Sequence, residues 1–159
     1  MKYSIVYSSI SGNTKKLAEE IKNKVGESYF GKPSDEALMA DVIFVGFWTA
    51  KNSCGEDIKR FIEKLDGKNV FIFGTAGYNN TQEYFDGILD SVKAHVPSSN
   101  TIIGTYMCQG KVSDNKQASI KQTMPEKYEL MKDNLAESVN HPNEADIKSL
   151  ISELDKVLL

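Results

Sequence analysis

The 159-residue chain is 40% hydrophobic and 26% charged with a net charge of −3, which suits one folded domain and excludes disorder and collagen-like repeats. No apolar run approaches the roughly 20 residues of a membrane helix, and Met1 to Tyr7 is too short for a secretory core, so membrane insertion is not expected and a cytoplasmic location is. The slight acidity gives no electrostatic basis for nucleic-acid binding, and two distant cysteines, Cys54 and Cys108, outline neither a disulfide framework nor a zinc site.

In chain order, Tyr3 to Tyr7 reads as a strand, followed by an amphipathic helix whose apolar residues Leu17, Ala18, Ile21 and Val25 recur three and four positions apart. A weak strand is expected over Ser28 to Phe30 and a strong one over Asp41 to Gly46. Ile58, Phe61, Ile62 and Leu65 mark a second helix, stopped by Gly67. Asn69 to Gly74 is the next strand, and Tyr84, Phe85, Ile88, Leu89, Val92 and Val96 form a third helical stripe between the N-cap candidate Thr81 and Pro97. Thr101 to Tyr106 reads as the fifth strand.

Met107 to His141 breaks the alternation, being polar and much longer than an ordinary strand-to-helix connection. Within it, Glu126 to Ser138 is predicted as a helix with Leu130, Met131 and Leu135 turned inward. The stretch is either a surface embellishment or a lid or partner-docking element. Ile147, Leu150, Ile151, Leu154 and Leu158 form the last helix, opened by Asn143 as N-cap after Pro142. No internal repeat interrupts this series.

Strands alternating with helices imply an α/β domain with a doubly wound, mostly parallel sheet. The uninterrupted apolar runs Ile5 to Tyr7, Val42 to Val45 and Val70 to Phe73 belong at its centre, where helices cover both faces. In such a sheet ligands bind beyond the carboxyl ends of the strands, so three loops hold the candidate chemistry.

The first loop, with Ser9, Ile10, Ser11, Gly12, Asn13 and Thr14, runs straight into a helix. A helix N-terminus offers unpaired N–H groups and partial positive charge, and small hydroxyl side chains add donors, which together describe a phosphate cradle. Gly12 stands alone, so neither the Gly-Lys-Ser/Thr of a mononucleotide loop nor a three-glycine dinucleotide fingerprint is present. A plain strand-to-helix turn is the competing reading.

The second loop carries Phe47, Trp48, Thr49, Ala50 and Lys51, and the lone tryptophan can lay its face on a planar ring. Alternatively Trp48 simply plugs the sheet end. In the third, Gly74, Thr75, Ala76 and Gly77 leave backbone groups accessible beside a second flat side chain, Tyr78. Together the loops describe a phosphate-bearing ligand with a flat polar ring.

These residues resemble those of flavodoxins. The family carries Thr/Ser-x-Thr/Ser-Gly-x-Thr after its first strand, and this chain has Ser9-Ile10-Ser11-Gly12-Asn13-Thr14, continued by Lys15-Lys16-Leu17-Ala18. The loops around Trp48 and Tyr78 stand where the family's two flavin-binding loops stand. The resemblance implies a five-stranded parallel sheet in order 2-1-3-4-5, three layers deep, and noncovalent FMN. It further implies a low-potential one-electron carrier between a reductase and an acceptor, working as a monomer with no catalytic residue of its own. Ser9, Ser11 and Thr14 would hold the phosphate, Trp48 and Tyr78 would flank the ring, and Thr49, Ala50, Thr75, Ala76 and Gly77 would meet its polar edge.

Two departures shape the expected redox behaviour. Lys51 stands in a loop that is often acidic in the family, and Ala50, Lys51 and Asn52 occupy the turn where many relatives have glycine, with Gly55 late in the loop. A reduction potential above that of strongly acidic flavodoxins and a weaker semiquinone are expected.

A flavodoxin-fold NAD(P)H-dependent flavin or quinone reductase is the enzymatic alternative, favoured by the long segment after Tyr106. A scaffold that has lost its flavin is another. A phosphoryl receiver would need acids after the first strand and an aspartate at the end of the third, where this chain has Ser8-Ser9 and Phe47-Trp48. Cys54, Cys108, His95 and His141 read as structural residues.

Overall fold

A computed structural model describes residues 1–27 and 29–158. Its strands are β1 (Tyr3–Tyr7), β2 (Tyr29–Gly31), β3 (Val42–Trp48), β4 (Asn69–Ala76) and β5 (Thr101–Gln109), all parallel and ordered β2-β1-β3-β4-β5. Strand order reverses at β1 and β3, where neighbouring loops diverge and leave a crevice. The weak strand expected from Ser28 is seen as β2, Ser28 itself lying outside the described residues.

The helices are α1 (Asn13–Val25), α2 (Glu56–Glu63), α3 (Gln82–Lys93), α4 (Asp114–Thr123), α5 (Pro125–Ser138) and α6 (Glu144–Val157), with a short 3-10 turn at Asp35–Met39. One sheet face buries Val6, Ile43, Val45 and Ile72 against Ile58 and Ile62 of α2 and Ile88 and Leu89 of α3. The other buries Ile5, Phe44, Phe71 and Phe73 against Leu17 and Ile21 of α1 and Leu150 and Leu154 of α6. Each such side chain contributes about 1.5–3 kcal/mol on leaving water, so the two apolar layers clamp the sheet and fix its carboxyl edge.

The helix starts follow the side-chain chemistry read in the sequence. Thr81 accepts a hydrogen bond from the Tyr84 amide, and Asn143 and Asp146 form a reciprocal capping box. Gly67 has a positive φ of +66°, suited to the reversal after α2. His141, read as a structural residue, places Nδ1 2.6 Å from Asp146 Oδ2.

The central strands run further than expected. β3 takes in Phe47 and Trp48, β4 takes in Thr75 and Ala76, and β5 takes in Met107 to Gln109. Their pairing continues to Trp48 opposite Thr75 and to Ala76 opposite Gln109.

The segment after β5 forms two helices rather than one. α4 and α5 bury Ile120, Met131 and Leu135 with Val112 in a cluster of their own, to which Tyr78 and Tyr128 add. Leu130, expected inward, is 88% exposed. It neighbours Met131 on a helix, about 100° around the axis, and the inward stripe passes through Met131, Leu135 and Ser138 instead. Among the described residues no helix is long and apolar enough to cross a membrane, and no group of three or more His, Cys, Asp or Glu is placed to hold a metal ion.

Candidate functional site

The loop after β1 is folded by Ser9. Its hydroxyl oxygen accepts hydrogen bonds from the amides of Gly12 (3.2 Å) and Lys15 (3.3 Å), curling the chain so that α1 starts at Asn13. Gly12 supports the curl at φ +91°, a left-handed conformation that glycine adopts without steric cost. The amides of Ser11, Asn13 and Thr14 find no acceptor among the described residues. The Ser11 and Asn13 N–H groups, open at the positive end of a 13-residue helix, make an anion cradle, with the buried Thr14 amide behind them. Ser11 is exposed beside them, and its oxygen accepts from Asn13 Nδ2 at 3.2 Å, leaving its own O–H free to donate.

Thr14 differs from the sequence expectation. Its side chain is wholly buried, with Oγ1 3.1 Å from the Phe47 carbonyl and 3.1 Å from Thr75 Oγ1. The Thr75 carbonyl in turn accepts from both the amide (3.1 Å) and the hydroxyl (2.9 Å) of Thr49. The hydroxyl expected to face a phosphate instead binds the three loops to one another.

The second loop turns tightly. Ala50 and Ser53 exchange backbone hydrogen bonds at 2.8 and 3.0 Å, and the two corner residues, Lys51 and Asn52, have φ of +50° and +60°. That is the two-residue turn in which both corners are left-handed, tolerable for asparagine and strained for lysine. Gly55 takes no part, since it is the extended residue preceding α2. Cys54 behind the turn is half-buried, and burial pushes its thiol pKa up.

Trp48 and Phe47 adjoin in one strand and so face opposite ways. Trp48 is half-buried in the crevice; Phe47 is fully buried in the core, its ring filling the space over Gly74, where a Cβ would come within 2.5 Å. Neither the Phe47 side chain nor Gly74 reaches the crevice surface.

Beyond β4, Gly77 and Tyr78 are half-buried, and Val112 leans so closely that a Cβ on Gly77 would sit 2.2 Å from it. The Gly110 amide bonds the Ala76 carbonyl at 3.1 Å, and Asn13 Nδ2 donates to the Lys111 carbonyl at 2.9 Å, which sets the chain leaving β5 beside the anion cradle. Tyr84 closes this side, its phenol pKa raised by burial first and by Tyr78 second.

The walls enclose a cleft of about 700 Å³. Of the residues singled out in the sequence, Ile10, Ser11, Asn13, Trp48, Thr49, Lys51, Thr75, Ala76, Gly77 and Tyr78 line it. Ser9, Gly12, Thr14, Phe47, Ala50 and Gly74 stand behind it and shape its walls. Sequence reasoning missed Asn52 and Tyr84, and with them the whole fourth wall of Gly110, Lys111, Val112, Ser113, Lys116 and Lys127. Lys127 Nζ lies 5.8 Å from the centre of the Tyr78 ring, within cation–π range. The described lining contains no Asp, Glu, His or Cys. Such a cleft can hold an anion at one end and a flat ring along Trp48 and Tyr78, but it offers no carboxylate or imidazole for proton transfer.

A family model described as the flavodoxin domain matches residues 4–154 of the chain. A flavodoxin-like domain-containing protein BilS from Clostridioides difficile (strain CD3) is 30% identical, the match covering 92% of this chain and 90% of the relative. Its namesake from Clostridium symbiosum (strain WAL-14163) is 32% identical with the same coverage of 92% and 90%. Among solved structures, a flavoprotein in complex with FMN from Lactobacillus acidophilus NCFM superposes with a TM-score of 0.54 at 19% identity, over 67% of this chain and 93% of that one. With the sheet order, the anion cradle and these matches in agreement, the chain belongs to the flavodoxin family.

Proposed function

We propose that the protein binds FMN in this cleft and carries electrons between redox proteins. The observation that bears most weight is the sharing of one cleft by the unpaired amides of Ser11 and Asn13 at the start of α1 and the two flat side chains Trp48 and Tyr78. The fit to FMN is specific in its parts. The phosphate suits the amides of Ser11 and Asn13 with the Ser11 hydroxyl, and the isoalloxazine suits the space along Trp48 and Tyr78. Thr49, Ala76 and Gly77 would present backbone groups to its polar edge. FMN, when bound, supplies the one- and two-electron redox chemistry that no amino-acid side chain here provides.

The protein's own part is to bind, orient and tune. Positively charged Lys51, Lys111, Lys116 and Lys127 around the cleft favour added negative charge on a ring held there, which supports a potential above that of flavodoxins with acidic surroundings. The described lining holds no carboxylate, imidazole or thiol, which is in keeping with a carrier.

The reading is tested by titrating FMN and riboflavin into cofactor-free protein while following flavin fluorescence. One-to-one quenching by FMN, with riboflavin bound at least tenfold more weakly, is the expected result, since a charge-assisted hydrogen bond contributes about 1.5–3 kcal/mol. Equal affinities would remove the phosphate from the cradle, and no quenching would remove the flavin.

One observation favours a second reading, a reductase acting on NAD(P)H and a small molecule: α4 and α5 give the cleft a fourth wall beside the Tyr78 loop. Oxidation of NAD(P)H by the FMN-loaded protein alone would establish it; reduction only through an added reductase protein supports the carrier.

A further inference from the structure

We infer that the mouth of the cleft docks an acidic face of a redox partner, although the chain as a whole is acidic. This deepens the carrier reading and rests on it for its redox role. The chain has 22 Asp and Glu against 19 Lys and Arg. Yet every charged residue in the described lining of the cleft is a lysine: Lys51 on the turn after β3, Lys111 after β5, Lys116 on α4 and Lys127 on α5.

All four are exposed, and among the described residues none of them belongs to an ion pair. They come from four separate segments, so their convergence is a product of the fold and not of a charged run in sequence. Asp114 and Glu126, exposed near the starts of α4 and α5, are the carboxylates closest in sequence to Lys116 and Lys127, and neither lines the cleft. Like charges gathered around a concavity focus field lines outward from it, while the excess acid elsewhere is screened beyond about 8 Å at physiological salt. Ile10, 75% exposed at the same mouth, adds the apolar contact that a protein partner desolvates and a small anion does not need.

Charge complementarity therefore selects a partner whose carboxylates surround its own electron-exchange site. Docked there, it meets the mouth of the proposed flavin site, and electrons pass across a short gap.

The test uses the full FMN-loaded chain and two probes, a reduced plant-type ferredoxin as the acidic electron donor and decaglutamate carrying a fluorophore as a redox-silent acid. The ferredoxin cluster is oxidised by one electron and the bound flavin is reduced by one. The expected result is a second-order rate that falls as salt rises from about 20 to about 300 mM, with decaglutamate bound more tightly than decalysine at low salt. In the double variant Lys116→Glu, Lys127→Glu, read at saturating FMN, the rate at low salt drops about tenfold and its salt dependence flattens or reverses. A rate that rises with salt, preferential binding of decalysine, or an unchanged salt slope in the double variant would overturn the proposal. Displacement of decaglutamate by micromolar citrate without effect on ferredoxin oxidation would assign the lysines to a small anion and overturn it likewise. Peptide binding is read with and without FMN, so failure of the docking surface is distinguished from failure of the flavin site, which the fluorescence titration reports separately.

Discussion

The buried hydroxyls of Thr14 and Thr75 lie 3.1 Å apart, joining the first turn of α1 to the end of β4. With the Thr14 contact to the Phe47 carbonyl and the two Thr49 contacts to the Thr75 carbonyl, they lace together the three loops that meet at the sheet's carboxyl edge. Thr14→Val keeps the shape but leaves buried polar partners unsatisfied, at a cost of about 1–3 kcal/mol. Chemical denaturation should show that loss, with Thr14→Ser recovering most of it; a Thr14→Val protein as stable as the parent would contradict the lacing.

Trp48 is placed to act on the ligand more than on the fold, because it is half-buried and lines the cleft while its neighbour Phe47 fills the core. Trp48→Ala is expected to weaken FMN binding about tenfold, in line with about 0.5–1.5 kcal/mol for aromatic stacking added to lost apolar contact. Trp48→Phe should retain most of the affinity. Fluorescence titration reads both, and thermal unfolding of the cofactor-free variants separates binding from stability.

A side chain at position 77 has no room, since its Cβ would lie 2.2 Å from Val112 Cγ2 and 3.1 Å from the Gly110 carbonyl. Gly77→Ala is predicted to destabilise the protein by about 1–3 kcal/mol through overpacking. Adding Val112→Ala should restore part of that loss, and a double-mutant cycle measures the coupling. Independent, additive effects would show that the two residues are not in contact.

Burial raises the Cys108 thiol pKa well above its ordinary range, with the charge of Asp146 acting in the same direction, and burial likewise raises the Tyr106 phenol. A raised folded-state pKa means that the folded protein retains a proton that the unfolded chain releases. Stability from this source is therefore complete below about pH 8.5, the ordinary thiol value, and is lost as pH climbs from there toward the folded value. Unfolding free energy measured from pH 7 to 10 should decline above that point, and Cys108→Ala should shrink the earlier part of the decline, the remainder belonging to Cys54, whose thiol burial also raises. A flat profile in the parent protein would refute the assignment.

How far the sequence carried this structure depends on which forces were local. The central strands and the α1, α2, α3 and α6 stripes are readable because burial imposes a regular period on apolar residues, and the caps at Thr81 and Asn143 because those side chains bond the nearest amides. The anion cradle is readable for the same reason, its donors lying within one turn of chain.

Other features answer to distant neighbours. Phe47 and Thr14 both adjoin cleft residues, yet only the strand pairing and the packing of α1 decide that they point inward. α4 shows little apolar periodicity and buries only Ile120, so its local signal is limited to the Ser113 N-cap, whose side chain accepts from the Lys116 amide. Lys111, Lys116 and Lys127 look like ordinary surface charges until the Asn13 contact to Lys111 and the Val112 cluster bring their segment to the mouth.

That segment is attached differently from the rest of the cleft. Gln109 Nε2 grips the carbonyls of Gly77 (3.0 Å) and Asn134 (2.9 Å), and Gln117 Nε2 grips those of Val112 and Leu135, each at 2.9 Å. Three sides of the aperture are thus anchored by strand ladders and buried threonines, whereas the fourth is tied to them by the Gln109 bond to Gly77, the Gly110 bond to Ala76 and the Asn13 bond to Lys111, and is held together within itself by Gln117 and a small apolar cluster. Local opening is expected on that side first, since fewer backbone ladders hold it, and hydrogen exchange at the α4 and α5 amides would read it.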